Sequence, residues 1–363
     1  MNKARQILNV LTKTGTAGQK INYLRYALSR RGERLKYAPV TISVVATTRC
    51  TLSCDMCPTH SRLVPQEYKH RQRNEKEIGI ELFRKVIDRY KYAREVHIIG
   101  SGEPLLNADL FRMISYAAEK KMKVKTFSNG TELQKHVGEI LSSGLDGITI
   151  SLNGHNAREF SRMTGMSPEV YSRIYNGVKA LIDEKRNVGS GVKVKLSFIL
   201  DRYNYRDIPA MVKTGIGLGA DHIFFCNFLP SPYEGLDASC RTLTKDEGII
   251  TELRGIFRRL PAAVRKKVTP PVLVDNGSAY NRCGSHFSQI RVDGDGNVSS
   301  CSMMLLNMTE CASIEDPDAW NSAFFRRMRG IFMSGDLKDL PEPCKACPDN
   351  KGYQVIGRLG FGD

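Results

Sequence analysis

Thr48-Arg49-Cys50-Thr51-Leu52-Ser53-Cys54-Asp55-Met56-Cys57-Pro58 sets three cysteines at C-x3-C-x2-C spacing, just after the run Thr41-Ile42-Ser43-Val44-Val45. The run is rich in β-branched residues and reads as a strand. The cysteines therefore fall in the loop that leaves it. Three thiolates on so short a loop can face one soft metal centre. A structural zinc site takes four ligands, and an ordinary cubane iron–sulfur cluster takes four cysteines. Three ligands leave one position open to a small molecule, which makes the loop a candidate site for chemistry.

Short apolar runs recur along the chain from this point. Strands are expected at 41–46, 95–100, 122–127, 146–151, 192–199 and 221–226, with helical patterns at 80–91, 108–120, 132–143, 168–185 and 206–218. Short apolar strands alternating with helices predict a parallel sheet covered by helices. Six βα units are too few for a closed eight-stranded barrel. They predict a doubly wound sheet or an open partial barrel, with ligands at the carboxyl ends of the strands.

The triple-cysteine loop after the first of six βα units resembles the radical S-adenosylmethionine (SAM) enzymes, over roughly residues 40–230. The resemblance implies a partial (β/α)6 barrel, with Cys50, Cys54 and Cys57 holding a [4Fe–4S] cluster and SAM on its open iron. Reductive cleavage of SAM would give a 5′-deoxyadenosyl radical that takes a hydrogen atom from the substrate. Other landmarks fall in family order. Gly100-Ser101-Gly102-Glu103-Pro104 is similar to the family's Gly-Gly-Glu-Pro, with Ser101 in place of a glycine. Ser101, Gly102 and Pro104 would shape that loop, and Glu103 would accept a charge-assisted hydrogen bond from the SAM ammonium. Thr126-Phe127-Ser128-Asn129-Gly130 and Ser151-Leu152-Asn153-Gly154 resemble the turns after strands three and four. They imply that Ser128, Asn129, Ser151 and Asn153 lie along the ribose or carboxylate. Met56 stands where the family usually has an aromatic beside adenine, and it can cover that face as a polarisable apolar group. The alternative for the first cluster is structural zinc or thiols on an unrelated α/β domain.

The chain has ten cysteines. A secreted disulfide scaffold is usually much shorter, and clustering at short spacings reads as metal ligation. A second set, Cys283, Cys301, Cys344 and Cys347, offers four thiolates, two of them in a C-x2-C pair. The set resembles the twitch (SPASM-like) extension, which implies a fully ligated auxiliary [4Fe–4S] cluster. Zinc is its alternative, since four thiolates suit it equally. No cysteine follows Cys347, unlike a full SPASM domain. Cys311 is the ambiguous member: a replacement for Cys283 or a small buried hydrophobe.

The expected organisation is a basic helical segment at 1–40, the barrel at 41–245, a helix and linker at 246–275, a small cysteine-rich α+β domain at 276–350, and a tail at 351–363. Cys226 ends the sixth strand, where a thiol can return a hydrogen atom. Glu234, in the following loop, is a candidate general base.

Charge narrows the partners. Lys and Arg total 54 against 38 acids, and residues 1–40 alone hold nine bases and one acid. This favours an anionic substrate, or contact of the N-terminal segment with nucleic acid or a membrane surface. Against RNA stands the lack of an aromatic-interleaved basic strand. No apolar run reaches the roughly 18 residues of a membrane span. The expected compartment is a reducing cytoplasm, with flavodoxin or ferredoxin as electron donor. Only 40 residues precede the first strand, which tilts the substrate toward a small polar metabolite, such as a sugar, aminocyclitol or nucleotide derivative. Oxidation or epimerisation is the expected reaction. A peptide or an RNA is the alternative substrate.

Overall fold

The computed structural model describes residues 15–57, 59–63, 76–228, 239–275, 277, 283–302, 310–335, 338–345, 347, 350 and 352–356. Six strands run parallel in sequence order: β1 Thr41–Val45, β2 Glu95–Ile99, β3 Lys123–Ser128, β4 Gly147–Ser151, β5 Lys193–Leu200 and β6 His222–Asn227. Within this set each strand pairs with its neighbours in the chain, in the order of a barrel wall rather than of a doubly wound sheet.

Alternation along the strands separates two faces. Ile42, Val44, Val96, Ile98, Val124, Ile148, Ile150, Val194, Leu196, Ile223 and Phe225 are fully or almost fully buried against the helices. Burying each such side chain contributes about 1.5–3 kcal/mol. The helices that cover them are Ile80–Arg89, Leu110–Glu119, Val137–Ser142, Pro168–Asn187 and Ile208–Leu218. Glu95, His97, Lys125, Phe127, Thr149, Ser151, Lys195, Ile199, His222, Phe224 and Cys226 take the other phase and stay partly accessible.

The wall is longer than six strands. The expected linker at 246–275 holds the helix Glu247–Arg259 and two more strands, β7 Val268–Thr269 and β8 Val272–Val274. β7 extends the wall beyond β6. At the opposite edge, β9 Gln289–Val292 runs parallel to β1, and β10 Asn297–Ser299 and β11 Ala312–Ser313 continue antiparallel. β12 Gly352–Gln354 pairs with β8. The cysteine-rich segment is thus joined to the barrel wall by backbone hydrogen bonds.

The N-terminal helix Ala17–Leu28 starts at a Thr16–Gln19 capping box and is docked by two buried amides. Gln19 donates to the Lys91 and Lys120 carbonyls, and Asn22 to those of Ala38 and Tyr92. One face of the basic segment is therefore packed on the barrel. Buried Arg329 ties the other end of the chain to the same region. It donates to the His286, Glu33 and Trp320 carbonyls and to Asn321 Oδ1, and stacks on Trp320. No helix among the described residues is long and apolar enough to cross a membrane.

Candidate active site at the carboxyl ends of the strands

The loop after β1 is stitched to the loop after β2. Gly102 N–H donates to the Thr47 carbonyl at 3.1 Å, and Glu103 N–H to the Arg49 carbonyl at 2.7 Å. The two backbones approach so closely that a Cβ at Gly102 would lie 1.8 Å from the Arg49 oxygen. This glycine serves contact, not flexibility. Gly100 is similarly constrained, with Gly102 O 2.5 Å from a would-be Cβ.

Asn129 joins the β3 end to the cysteine loop. Its Nδ2 donates to Thr51 Oγ1 at 3.0 Å and lies 3.6 Å from Cys50 Sγ. Its Oδ1 accepts from Thr131 N and Oγ1. Cys57 N–H donates to the Cys54 carbonyl, and Cys57 Sγ lies 3.3 Å from Thr59 Oγ1. Asp55 N–H donates to the Thr164 carbonyl, which fixes the far side of the loop.

Cys50, Cys54 and Cys57 are brought together. Burial, then the Cys57 and Cys50 sulfurs, push the Cys54 thiol up to about 12. Burial also raises Cys50, with Cys57 and Glu103 adding to it. Three anionic sulfurs at one desolvated spot need a cationic centre, which is what iron supplies. Among the described residues no three His, Cys, Asp or Glu side chains converge on a point that would hold one ion. A cubane binds its thiolates at separate iron corners, so the donor set fits it.

Several predicted ligand contacts have protein partners. Glu103 is 1% exposed. Its Oε1 accepts from Leu105 N at 3.1 Å and its Oε2 from Asn129 N at 2.5 Å. Burial raises its carboxyl to about 6, against the pull of those N–H donors. Ser128 is likewise buried, and its Oγ accepts from Gly130 N. These two side chains brace the β2 and β3 ends. The Ser101 carbonyl faces Thr59 Oγ1 at 3.3 Å and His60 Nε2 at 3.1 Å. Pro104 starts a single 3-10 turn. Asn153 adopts φ 52°, a left-handed conformation uncommon outside glycine, and its Oδ1 accepts from Ile199 N. Ser151 remains partly accessible, 3.4 Å from Ser197 Oγ. Met56 lies half-buried in the cysteine loop.

Cys226 stands beside Ile199 in register at the mouth, and burial pushes its thiol up to about 11. Glu234 lies outside the described residues. So do Pro58 and most of the basic loop after it. Arg241 Nη2 donates at 2.7 Å to fully buried Asp201 at the β5 end. Asp201 was missed in sequence because an aspartate before Arg202 looks like an ordinary turn residue.

The second cysteine set also gathers. Burial, then Cys301, Cys283 and Cys347, push the Cys344 thiol far up. Cys311 is outside this group: it is exposed, with Sγ 3.5 Å from Asn297 Oδ1. All ten cysteines are described, and none is in a disulfide.

A wall of parallel strands with three thiols, a Gly-Glu-Pro loop and an Asn-Gly turn at its carboxyl ends defines a class. Residues 44–214 match the Radical SAM superfamily model. Over those residues the chain carries a radical SAM domain, a family that implies a [4Fe–4S] cluster and SAM. Two relatives are similar across much of it. A "Probable GTP 3',8-cyclase" of Pyrobaculum aerophilum is 27% identical over 219 residues, 56% of this chain and 66% of its own. A "PqqA peptide cyclase" of Granulibacter bethesdensis is 23% identical over 332 residues, 85% of this chain and 79% of its own. Streptococcus suis SuiB bound to S-adenosylmethionine is similar in fold, with a TM-score of 0.59 at 16% identity over 87% of this chain and 72% of that one.

Proposed function

We propose that this protein is a radical SAM enzyme that abstracts a hydrogen atom from a small polar metabolite, leading to its oxidation or epimerisation. The observation that carries this reading is the gathering of the Cys50, Cys54 and Cys57 thiols beside the Gly100–Pro104 loop at the carboxyl ends of the strands. When bound, the cluster and SAM supply a 5′-deoxyadenosyl radical. Cys50, Cys54 and Cys57 hold the cluster, and Asn129 fixes the Cys50 loop. Gly102 lets the neighbouring backbone approach, while Glu103 and Ser128 brace the strand ends behind it. Ser101, Pro104, Ser151, Asn153 and Met56 shape the surface on which SAM lies.

Cys226 serves a redox-neutral outcome. Its raised thiol stays protonated near neutrality, so it carries an S–H hydrogen for a substrate carbon radical. The resulting thiyl is then reduced by one electron from an external donor of the flavodoxin or ferredoxin kind and takes a proton from solvent. An oxidation needs an electron acceptor instead, and Cys283, Cys301, Cys344 and Cys347 would hold one as an auxiliary [4Fe–4S] cluster. Residues 276–350 form the unit that carries it, attached to the barrel of 41–245, and a reducing cytoplasm protects such clusters from oxidative breakdown. A peptide substrate is the second reading, favoured by the 85% coverage in the match to the peptide cyclase.

The test is anaerobic reconstitution with iron and sulfide counting. Two cubanes predict about eight irons, and about four after Cys50, Cys54 and Cys57 are changed to Ala. SAM and dithionite should release 5′-deoxyadenosine from the unmutated protein alone. Iron without SAM cleavage would overturn the reading.

A further inference from the structure

The helix-facing side of the wall is apolar, but its inner side is charged. Glu95 and His97 on β2, Lys125 on β3, Lys195 on β5 and His222 on β6 all take the phase opposite to the core residues. They also sense one another across the lumen. Glu95 accepts from His97 Nε2 at 2.7 Å and forms an ion pair with Lys125. Lys195 feels the charges of Lys125, Glu95 and Asp221, the last of which is already paired with Lys185 and Lys193, and His222 feels that of Lys195. β2 and β5 are three strand spacings apart, about 14 Å along a flat sheet. The shared phase of these residues, opposite to the residues covered by the helices, places them on the inner face of the wall.

The charges do not balance. Burial alone would raise Glu95, yet His97 and Lys125 hold it down to about 2. The one carboxylate of this group is thus already neutralised by Lys125. Lys195 is left half-buried, with no hydrogen bond or ion pair among the described residues. His222 hydrogen-bonds to Thr269 Oγ1 at 2.7 Å, on β7. Phe127 and Phe224, both unusually exposed for their size, line the same face nearer the mouth. A cation deep in the lumen with an apolar collar above it is a seat for an anion on a compact ligand.

We propose that Lys195, with Lys125 and His222, seats an oxyanion of the substrate, a phosphoryl or carboxylate group, deep in the barrel lumen. The proposal deepens the function above, since it names the substrate class of the same site. Lys195 and Ile199 are four residues apart on β5, about 13 Å of strand, and Cys226 is the register partner of Ile199. A lysine side chain spans part of that distance. The anionic group and the reacting carbon are then separated by on the order of 10 Å or less. That span suits a sugar phosphate, a nucleotide or a short acidic metabolite.

The test measures binding alone, so it does not depend on SAM cleavage. The anaerobically reconstituted full chain is titrated at low salt with inorganic phosphate and, separately, malonate, by calorimetry without SAM or reductant. Saturable binding of at least one probe is expected, and the tighter of the two identifies the group. Lys195→Met should weaken it at least tenfold, and Lys195→Arg should restore most of it. Lys179→Met, which removes an exposed lysine paired with Asp183 on an outer helix, should leave it unchanged. Melting temperatures confirm that each variant is folded. Absence of saturable binding, or equal weakening by Lys195→Met and Lys179→Met, would overturn the proposal.

Discussion

Gly102→Ala tests whether close backbone contact positions the cysteine loop. The added Cβ would lie 1.8 Å from Arg49 O, 2.4 Å from Arg49 C and 2.7 Å from Thr48 C, where ordinary contact begins at 3.4 Å. Every clashing atom is backbone, so no rotamer change relieves the overlap. The Thr48–Cys50 segment must retreat by about 1.5 Å. That retreat breaks the 3.1 Å Gly102–Thr47 and 2.7 Å Glu103–Arg49 hydrogen bonds. An unmade buried bond costs about 1–3 kcal/mol, so the loss is about 2–6 kcal/mol at the mouth. Cys50 moves with the segment while Cys54 and Cys57, held through Asp55 and Thr164, do not. Misplacement by about 1 Å at a reacting centre costs about a hundredfold in rate. The assay is 5′-deoxyadenosine release beside iron per chain, with circular dichroism to check folding. A folded variant that cleaves SAM within twofold of the parent would refute the argument.

Three further outcomes are expected. Cys226→Ser should leave SAM cleavage within about twofold, as far as its role is hydrogen return after cleavage. In D2O the parent should place deuterium in an epimerised product and the variant should not; unlabelled parent product would exclude the thiol as donor. Glu103 gives a pH signature in the apoprotein. Its folded pKa of about 6 lies above the ordinary 4.5. Its contribution is therefore fully present below pH 4.5 and is lost as pH rises through 6, about 2 kcal/mol in all. Glu103→Gln should remove that dependence, as read by urea unfolding from pH 4.5 to 7. Arg329→Met should cost about 2–5 kcal/mol, because the His286 and Trp320 carbonyls lose a buried donor and the Glu33 carbonyl a partly buried one; a loss below about 1 kcal/mol in urea would show that these carbonyls are otherwise satisfied.

The strands and the location of the mouth were legible because short β-branched runs and C-x3-C-x2-C are local signals, whereas the barrel order of the strands came from the resemblance. The ends of elements were less so. Residues 132–143 read as one helix but divide into a 3-10 turn, Leu133–Lys135, and a short helix, Val137–Ser142. The helix Ala157–Thr164 was missed beside the longer Pro168–Asn187. β7 and β8 were hidden because two- and three-residue strands around Pro270-Pro271 look like a linker. The charged lumen was invisible for another reason. The strands read as short apolar runs, which leaves Lys125 and Lys195 without a role in sequence, and only the arrangement of the wall turns their face inward. Glu103 and Ser128 could be placed at strand ends from sequence, but their commitment to backbone donors depends on how adjacent loops meet.

The pairing of β9 with β1 also constrains how the chain is made. Tyr37, just before β1, hydrogen-bonds to Phe287, 250 residues later. A ribosome that has released all six barrel strands still leaves the outer edge of β1 unpaired. Exposed strand edges template aggregation, and contacts this distant in sequence form slowly. The strand that leads into the Cys50 loop is thus among the last to be enclosed. Loading of iron at that loop is expected to follow completion of the chain, and a product truncated before residue 283 should be captured by chaperones or aggregate rather than persist as a barrel without its final strands.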